Sequence, residues 1–150
     1  MRRDQVDLPV PGHDAALSLI AYGSYGRPVL VFPSEAGRAW DFEDNGMVDA
    51  VRDLIEVGRV KLYCVDSLDG YSWADNAAPL EERARRHGLY TDWLTKQAVP
   101  WIVSDTGGGG ELVGLGCSMG GYHALHFALQ RADLMPLTIG LSGNYDVNTW

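Results

Sequence analysis

The residues best suited to chemistry are a serine between two glycines, in the pentapeptide Gly116-Cys117-Ser118-Met119-Gly120. An apolar run at 112–117, predicted to be a strand, precedes the serine, and a predicted helix at 119–130 follows it. Where a strand turns abruptly into a helix, the apex residue takes a strained backbone conformation, and glycines on either side let the segments pass without a clash. A serine at such an apex projects its hydroxyl above the sheet. This favours Ser118 as a nucleophile for acyl transfer over a purely structural serine in a tight turn.

Attack on a carbonyl also needs donors for the negative charge that develops on its oxygen. The first candidate donor is the backbone N–H of Met119, at the N-terminus of the predicted helix, where the helix carries a partial positive charge. The second donor is expected from the loop after the third predicted strand, and the candidates are the backbone N–H groups of Ser34 and Glu35.

Two further glycine patterns favour connectors over cofactor loops. Gly107–Gly110 precedes a predicted strand, whereas a phosphate cradle lies between a strand and the helix that follows it. Gly114, Gly116 and Gly120 come late in the chain, but a dinucleotide-binding loop belongs to the first strand–helix unit. No histidine–carboxylate spacing indicates a metal site. The sequence therefore predicts no cofactor and no bound metal.

The elements that must position these groups alternate between strands and helices. Two β-prone segments separated by a turn open the chain and predict an antiparallel hairpin, and four later apolar segments alternate with helices. The predicted strands are 6–10, 16–22, 29–32, 60–65, 112–117 and 137–141, and the predicted helices run from an Asn45 cap to Gly58, over about 80–87, over about 89–99 and over 119–130. This order predicts one α/β domain over residues 1–150, with a mostly parallel sheet, helices on both faces and an antiparallel N-terminal hairpin.

Composition narrows the range of partners. The 150 residues include 20 acidic and 12 basic side chains, for a formal net charge of −8, whereas nucleic-acid binding needs a basic face. No run approaches the roughly 18 apolar residues of a membrane span, and residues 1–7 lead into no signal-peptide core. Cys64 and Cys117 are expected to be free, buried thiols. We therefore expect a cytoplasmic protein with a small-molecule partner and no nucleic-acid or membrane partner.

The sequence around the serine also resembles a known family. The segments GCSMGGYHA at 116–124, LSGNYD at 141–146, VLVFPS at 29–34 and VDSLDGYSW at 65–73 are similar to the esterase D and mycolyltransferase branch of the α/β-hydrolases, and especially to its poorly characterised esterases. The resemblance covers residues 16–146. It implies an α/β-hydrolase fold, Ser118 as nucleophile, oxyanion donors at Met119 and at Glu35 or Ser34, and acyl transfer from small esters to water or another hydroxyl.

The chain departs from the family pattern after the serine. An acid and then a histidine should follow the nucleophile, but His123 and His126 precede Asp133 and Asp146. Both histidines fall on the helix that begins at the serine, where they are expected to be core or surface residues rather than bases. We therefore expect the N-terminal part of a longer esterase, without its last strands, acid and histidine, and with little or no turnover of its own. The alternatives are an acyltransferase of the same fold, and a non-catalytic scaffold that self-associates through an exposed sheet edge at Leu137–Leu141.

Three residues are candidates for lining a substrate cleft. Asp69, Tyr71 and Trp73 follow the carboxyl end of the fourth predicted strand, which is the side where open α/β sheets form their sites. A capped, solvated turn is the alternative interpretation of this segment.

Overall fold

The computed structural model describes residues 1–108 and 110–146, and the strands in this part of the chain form one six-stranded sheet. The strands are β1 Arg3–Pro9, β2 Ala16–Tyr22, β3 Arg27–Phe32, β4 Val60–Val65, β5 Val113–Cys117 and β6 Leu137–Leu141. They lie in the order β1-β2-β4-β3-β5-β6 across the sheet. β2 is antiparallel to both β1 and β4, whereas β4, β3, β5 and β6 run parallel to one another. The predicted N-terminal hairpin and the mostly parallel sheet are therefore confirmed.

Helices supply the crossovers that parallel strands require. The α-helices of the described residues are α1 Asp41–Asp44, α2 Met47–Ala50, α3 Arg52–Glu56, α4 Leu80–Trp93, α5 Val99–Asp105 and α6 Met119–Gln130. The first three connect β3 to β4, the next two connect β4 to β5, and α6 connects β5 to β6. None of the helices in the described ranges is long and apolar enough to cross a membrane.

The side chains of the central strands alternate between two cores, as the period of two in a strand requires. In β4, Tyr63 and Val65 belong to the core beneath α4, α5 and α6, while Leu62 and Cys64 belong to the core beneath α2 and α3. Because both faces of the sheet are covered by helices, the predicted α/β class is confirmed.

The helices differ from the prediction in two places. The single helix expected after Asn45 is divided into two short helices, α2 and α3, and a third, α1, lies just before Asn45. α2 begins after Gly46, which has a left-handed φ of 73°. The Asn45 side chain donates back to the Asp41 carbonyl oxygen instead of capping α2. The two helices expected between 80 and 99 are instead a continuous α4 joined to α5 by a π-helical turn at Leu94–Ala98. Pro100, which has no N–H to donate, lies just after that turn.

The strand β6 lies at the edge of the sheet formed by the described residues. Its apolar side chains Leu137, Ile139 and Leu141 are 48%, 46% and 39% exposed. Edge strands in native proteins are usually short, charged or covered. Among the described residues, β6 is therefore an unusually apolar edge strand.

Candidate active site

Ser118 occupies the apex between β5 and α6. Its backbone has a φ of 55° and a ψ of −121°, outside the regions that a non-glycine residue ordinarily populates, at a cost of about 1–3 kcal/mol. The conformation is held on both sides, because the Ser118 N–H donates to the Leu141 carbonyl oxygen (2.9 Å) and the Ser118 carbonyl oxygen accepts from the N–H of Gly121 (3.0 Å). The serine itself is exposed. A strained and solvent-accessible serine is therefore built into the junction between strand and helix.

The two flanking glycines are required by close backbone contacts. A Cβ atom on Gly120 would lie 2.5 Å from the carbonyl oxygens of Phe32 and Pro33, and a Cβ on Gly116 would overlap the backbone of Gly120. The N-terminus of α6 therefore packs directly on the segment that leaves β3. This contact brings the loop that starts at Pro33 beside the serine.

Three backbone N–H groups near this junction remain available. Within the described residues, the N–H groups of Met119, Ser34 and Glu35 donate to no protein acceptor. Met119 is the first residue of α6, where the first four N–H groups of a helix have no intrahelical partner. Free donors are what a developing oxyanion requires.

A buried pair of side chains, Asp69 and His123, holds the loop that carries Ser34 and Glu35, and this pair was not found from the sequence. The Asp69 carboxylate accepts from the Ala36 N–H with Oδ2 (3.0 Å) and from His123 Nε2 with Oδ1 (2.8 Å). The side chains of Asp69 and His123 are each only 1% exposed. From the sequence, Asp69 is predicted to line a substrate cleft. In the structure it is buried instead, and both of its carboxylate oxygens accept hydrogen bonds inside the protein. No local spacing could have revealed a pair that is 54 residues apart.

The other histidines have different surroundings. His87 is enclosed by aromatic rings, including His123 and His126 at centroid distances of 5.3 and 4.9 Å, and its pKa is lowered to about 2 by burial and by those two rings. His126 is hydrogen-bonded to the Gln130 side chain, and His13 Nδ1 accepts a hydrogen bond from the Ala15 N–H. In the described part of the chain, no histidine is hydrogen-bonded to Ser118, and no cluster of three or more His, Cys, Asp or Glu could hold a metal ion.

A mostly apolar cavity of about 300 Å³ opens beside the serine junction. It is lined by Pro33 and Ser34 of the loop after β3, by Cys117, and by Phe42 and Met47 of α1 and α2. Cys117 was expected to be buried but is exposed, because it is the last residue of β5 and turns toward this cavity. An ester group bound near Ser118 could place an apolar substituent here.

The remaining predicted cleft residues lie away from that cavity. The Tyr71 ring packs against the His13 ring (4.5 Å between centroids) and lies beneath the Arg86 guanidinium. Trp73 is buried and lines a different cavity of about 450 Å³, next to α4 and α6. A turn of 3-10 helix at Asp69–Tyr71 folds this segment back onto the core, which is why the three residues do not share one cleft.

Comparison with solved structures identifies the fold. No protein-family profile and no curated protein matches the chain, but 257 solved chains match in structure. A ferulic acid esterase superposes with a TM-score of 0.72 at 13% identity, over 95% of this chain and 60% of its own. S-formylglutathione hydrolase of Staphylococcus aureus gives 0.70 at 13%, over 99% and 61%, and MPT51 of Mycobacterium tuberculosis gives 0.69 at 17%, over 95% and 51%. The chain has an α/β-hydrolase-like fold. It spans about half to three-fifths of the length of these solved chains.

Proposed function

We propose that this chain carries the nucleophile and oxyanion donors of a cytoplasmic serine hydrolase that acts on small carboxylic esters. The observation that carries the proposal is Ser118 itself, exposed and held in a strained conformation where β5 meets α6. Solved structures with the same fold include a ferulic acid esterase and S-formylglutathione hydrolase. The two free cysteines of the described residues are compatible with a reducing compartment.

The reaction begins with attack of Ser118 Oγ on the ester carbonyl carbon. The carbonyl π electrons move to oxygen, which becomes the oxyanion of a tetrahedral intermediate. The C=O double bond then re-forms as the bond to the alkoxide oxygen breaks, and the alkoxide leaves as the alcohol with the proton that a base took from Ser118 Oγ, which gives the acyl-enzyme. The Met119 N–H and one N–H from Ser34 or Glu35 stabilise that oxyanion. Removing one such donor typically lowers kcat by about 10²–10³-fold. Attack of water, or of another hydroxyl in an acyltransferase, on the acyl-enzyme completes the cycle.

The proton of Ser118 Oγ needs an acceptor, and we propose that the 150 residues by themselves position none. In the described residues, His123 is hydrogen-bonded to Asp69 and His126 is hydrogen-bonded to Gln130. His87 packs within an aromatic cluster. An oxyanion site without its base retains only about 10³–10⁴-fold acceleration over water. Little turnover is therefore expected from these 150 residues, since the order typical of the fold places an acid and then a histidine after the serine.

The test is labelling of the purified chain with a fluorophosphonate, followed by peptide mass spectrometry. We expect slow labelling at Ser118 that is absent in Ser118→Ala and unchanged in Cys117→Ser, the matched control for the neighbouring exposed nucleophile. Absence of any Ser118 adduct after prolonged incubation would contradict the nucleophile assignment. Rapid stoichiometric labelling would contradict the lack of a base and would indicate that one of the histidines accepts the Ser118 proton.

A second candidate function, an interaction module, is favoured by the apolar edge at Leu137–Leu141. Unpaired strand edges pair readily with other chains, and we propose self-association through this strand. Sedimentation velocity over a concentration series tests it, with Ile139→Lys as the disrupting variant and Leu54→Lys, at an exposed leucine of α3, as the matched control. A monomer at all concentrations would exclude self-association as a function of the edge.

A further inference from the structure

The loop after β3 forms a tight turn in an unfavourable conformation for its sequence. The Gly37 N–H donates to the Ser34 carbonyl oxygen (2.9 Å), which closes a four-residue turn over 34–37. Ala36, the third residue of the turn, has a φ of 53°. Positive φ at this position, with no positive φ at the preceding Glu35, defines a type II turn and favours glycine or asparagine at the third residue. An alanine therefore holds this conformation only because something outside the turn imposes it.

The carboxylate of Asp69 supplies that constraint. Type I and type II turns differ chiefly in the orientation of their central peptide, which in this turn joins Glu35 to Ala36. In the observed orientation, the Ala36 N–H donates to Asp69 Oδ2 (3.0 Å). The opposite orientation would turn the Glu35 carbonyl oxygen toward the carboxylate, which can only accept hydrogen bonds when ionised. Asp69 thus selects the type II form.

The second oxygen of Asp69 links the turn to the helix that begins at Ser118. His123 of α6 donates from Nε2 to Asp69 Oδ1 (2.8 Å), and both side chains are buried. An ionised carboxylate can only accept, so this hydrogen bond needs a proton on His123 Nε2. The His123 Nδ1 atom is buried and has no hydrogen-bond partner among the described residues, so Asp69 supplies the hydrogen bond that orients the ring.

We propose that Asp69 and His123 are positioning residues that fix the 34–37 turn, and with it the N–H groups of Ser34 and Glu35, relative to the serine junction. The catalytic consequence of this pair rests on the proposed hydrolase function. Neither residue touches the reacting atoms. They act through the Ala36 peptide on one side and through α6 on the other.

Independent contacts hold the C-terminal end of the loop, so that loss of Asp69 should release the turn without unfolding it. The Ala39 N–H donates to Asp66 Oδ1 (2.8 Å), and the Ser67 N–H donates to the Gly37 carbonyl oxygen (3.1 Å). We expect these bonds to stay in place when Asp69 is replaced. The effect of a substitution should therefore be confined to the 34–37 turn, which includes the Glu35 N–H next to the central peptide.

The first test is amide hydrogen exchange of the ¹⁵N-labelled chain by NMR. In Asp69→Leu, we expect exchange of the Ala36 amide to accelerate at least about tenfold, because its hydrogen bond is lost. The matched control is Ser72→Ala, which removes a buried hydrogen bond to the Leu68 carbonyl oxygen in the same segment and should leave the Ala36 amide unchanged. Asp69→Asn should retain protection within about threefold and move the His123 proton from Nε2 to Nδ1, since the new amide group must donate to the ring. Imidazole ¹⁵N shifts report that move.

The second test adds a rescue and a reactivity measurement. In Asp69→Leu, fluorophosphonate labelling of Ser118 should slow by about 10–100-fold, as expected when an oxyanion donor is misplaced. The double variant Asp69→Leu/Ala36→Gly should recover most of that rate, because glycine takes positive φ without help. Faster Ala36 exchange with an unchanged labelling rate, or no rescue by glycine, would overturn the positioning role. If Ser118 is never labelled even in the unmodified chain, the proposed function fails, and the exchange experiment alone decides whether Asp69 sets the turn.

Discussion

The packing of the serine junction makes a quantitative prediction for Gly116→Ala. A Cβ atom at this position would lie closer than 3.0 Å to the Gly120 carbonyl and the Gly121 nitrogen, whereas ordinary van der Waals contact begins at about 3.4 Å. The atoms met are all backbone, in a segment already fixed by the hydrogen bonds of Ser118, so that no side chain can rotate away. Overpacking typically costs 1–3 kcal/mol, and we expect about 3 kcal/mol here.

Urea unfolding followed by tryptophan fluorescence measures this loss, and Gly88→Ala is the matched control. Gly88 lies inside α4, and a Cβ there meets nothing within 4 Å. The control should therefore stabilise the chain by about 0.8–1 kcal/mol, the difference in helix propensity between the two residues. For a chain of this size, 3 kcal/mol corresponds to a fall in Tm of roughly 6–12 °C. If the free energy of unfolding of Gly116→Ala lay within about 1 kcal/mol of the value for the unmodified chain, close backbone contact would not be the reason why position 116 requires glycine.

Three further predictions concern single sites. Ala36→Gly should stabilise the chain by about 1 kcal/mol in urea unfolding, because glycine removes the steric penalty of a positive φ; a loss of stability would contradict the strained turn. Burial raises the pKa of Asp105, but hydrogen bonds from Lys61 and Tyr63 outweigh it and hold the pKa below its usual value. The ionised group therefore stabilises the fold above about pH 4 and this contribution should disappear as the pH falls further, with a shallower acid dependence in Asp105→Asn. A disulfide reagent should modify Cys117 rapidly and Cys64 only on unfolding, since Cys117 is exposed while burial raises the pKa of the Cys64 thiol; two equally fast thiols would contradict this.

The strands and the serine junction could be predicted because their signals are local. Apolar runs bounded by turn residues gave all six strands of the described sheet to within a few residues. The glycines around Ser118 could be interpreted because a strand–helix junction imposes its own steric rule on adjacent residues. The assignment of Ser118 as nucleophile, and of Met119 and either Ser34 or Glu35 as oxyanion donors, stays a prediction that the conformation of the junction supports.

The remaining features depend on contacts that are distant in sequence. Asp69 and His123 each look like an ordinary polar residue in their own segment, and only the fold, which places the turn after β4 beside α6, brings them together. The sequence predicts a buried Cys117, but the last residue of β5 faces a cavity that only the folded chain forms, and its side chain is therefore exposed. The continuity of α4 across Gly88 shows tertiary packing overriding the low helix propensity of one residue.

The contact of Gly120 with the carbonyl oxygens of Phe32 and Pro33 also constrains the order of folding. The two partners are far apart in the chain, so that a long loop must close before the contact exists. We therefore expect the serine junction to reach its strained geometry only after β3 and β5 have paired. A reagent specific for that geometry would then react with molecules in which this pairing has formed and not with earlier states of folding.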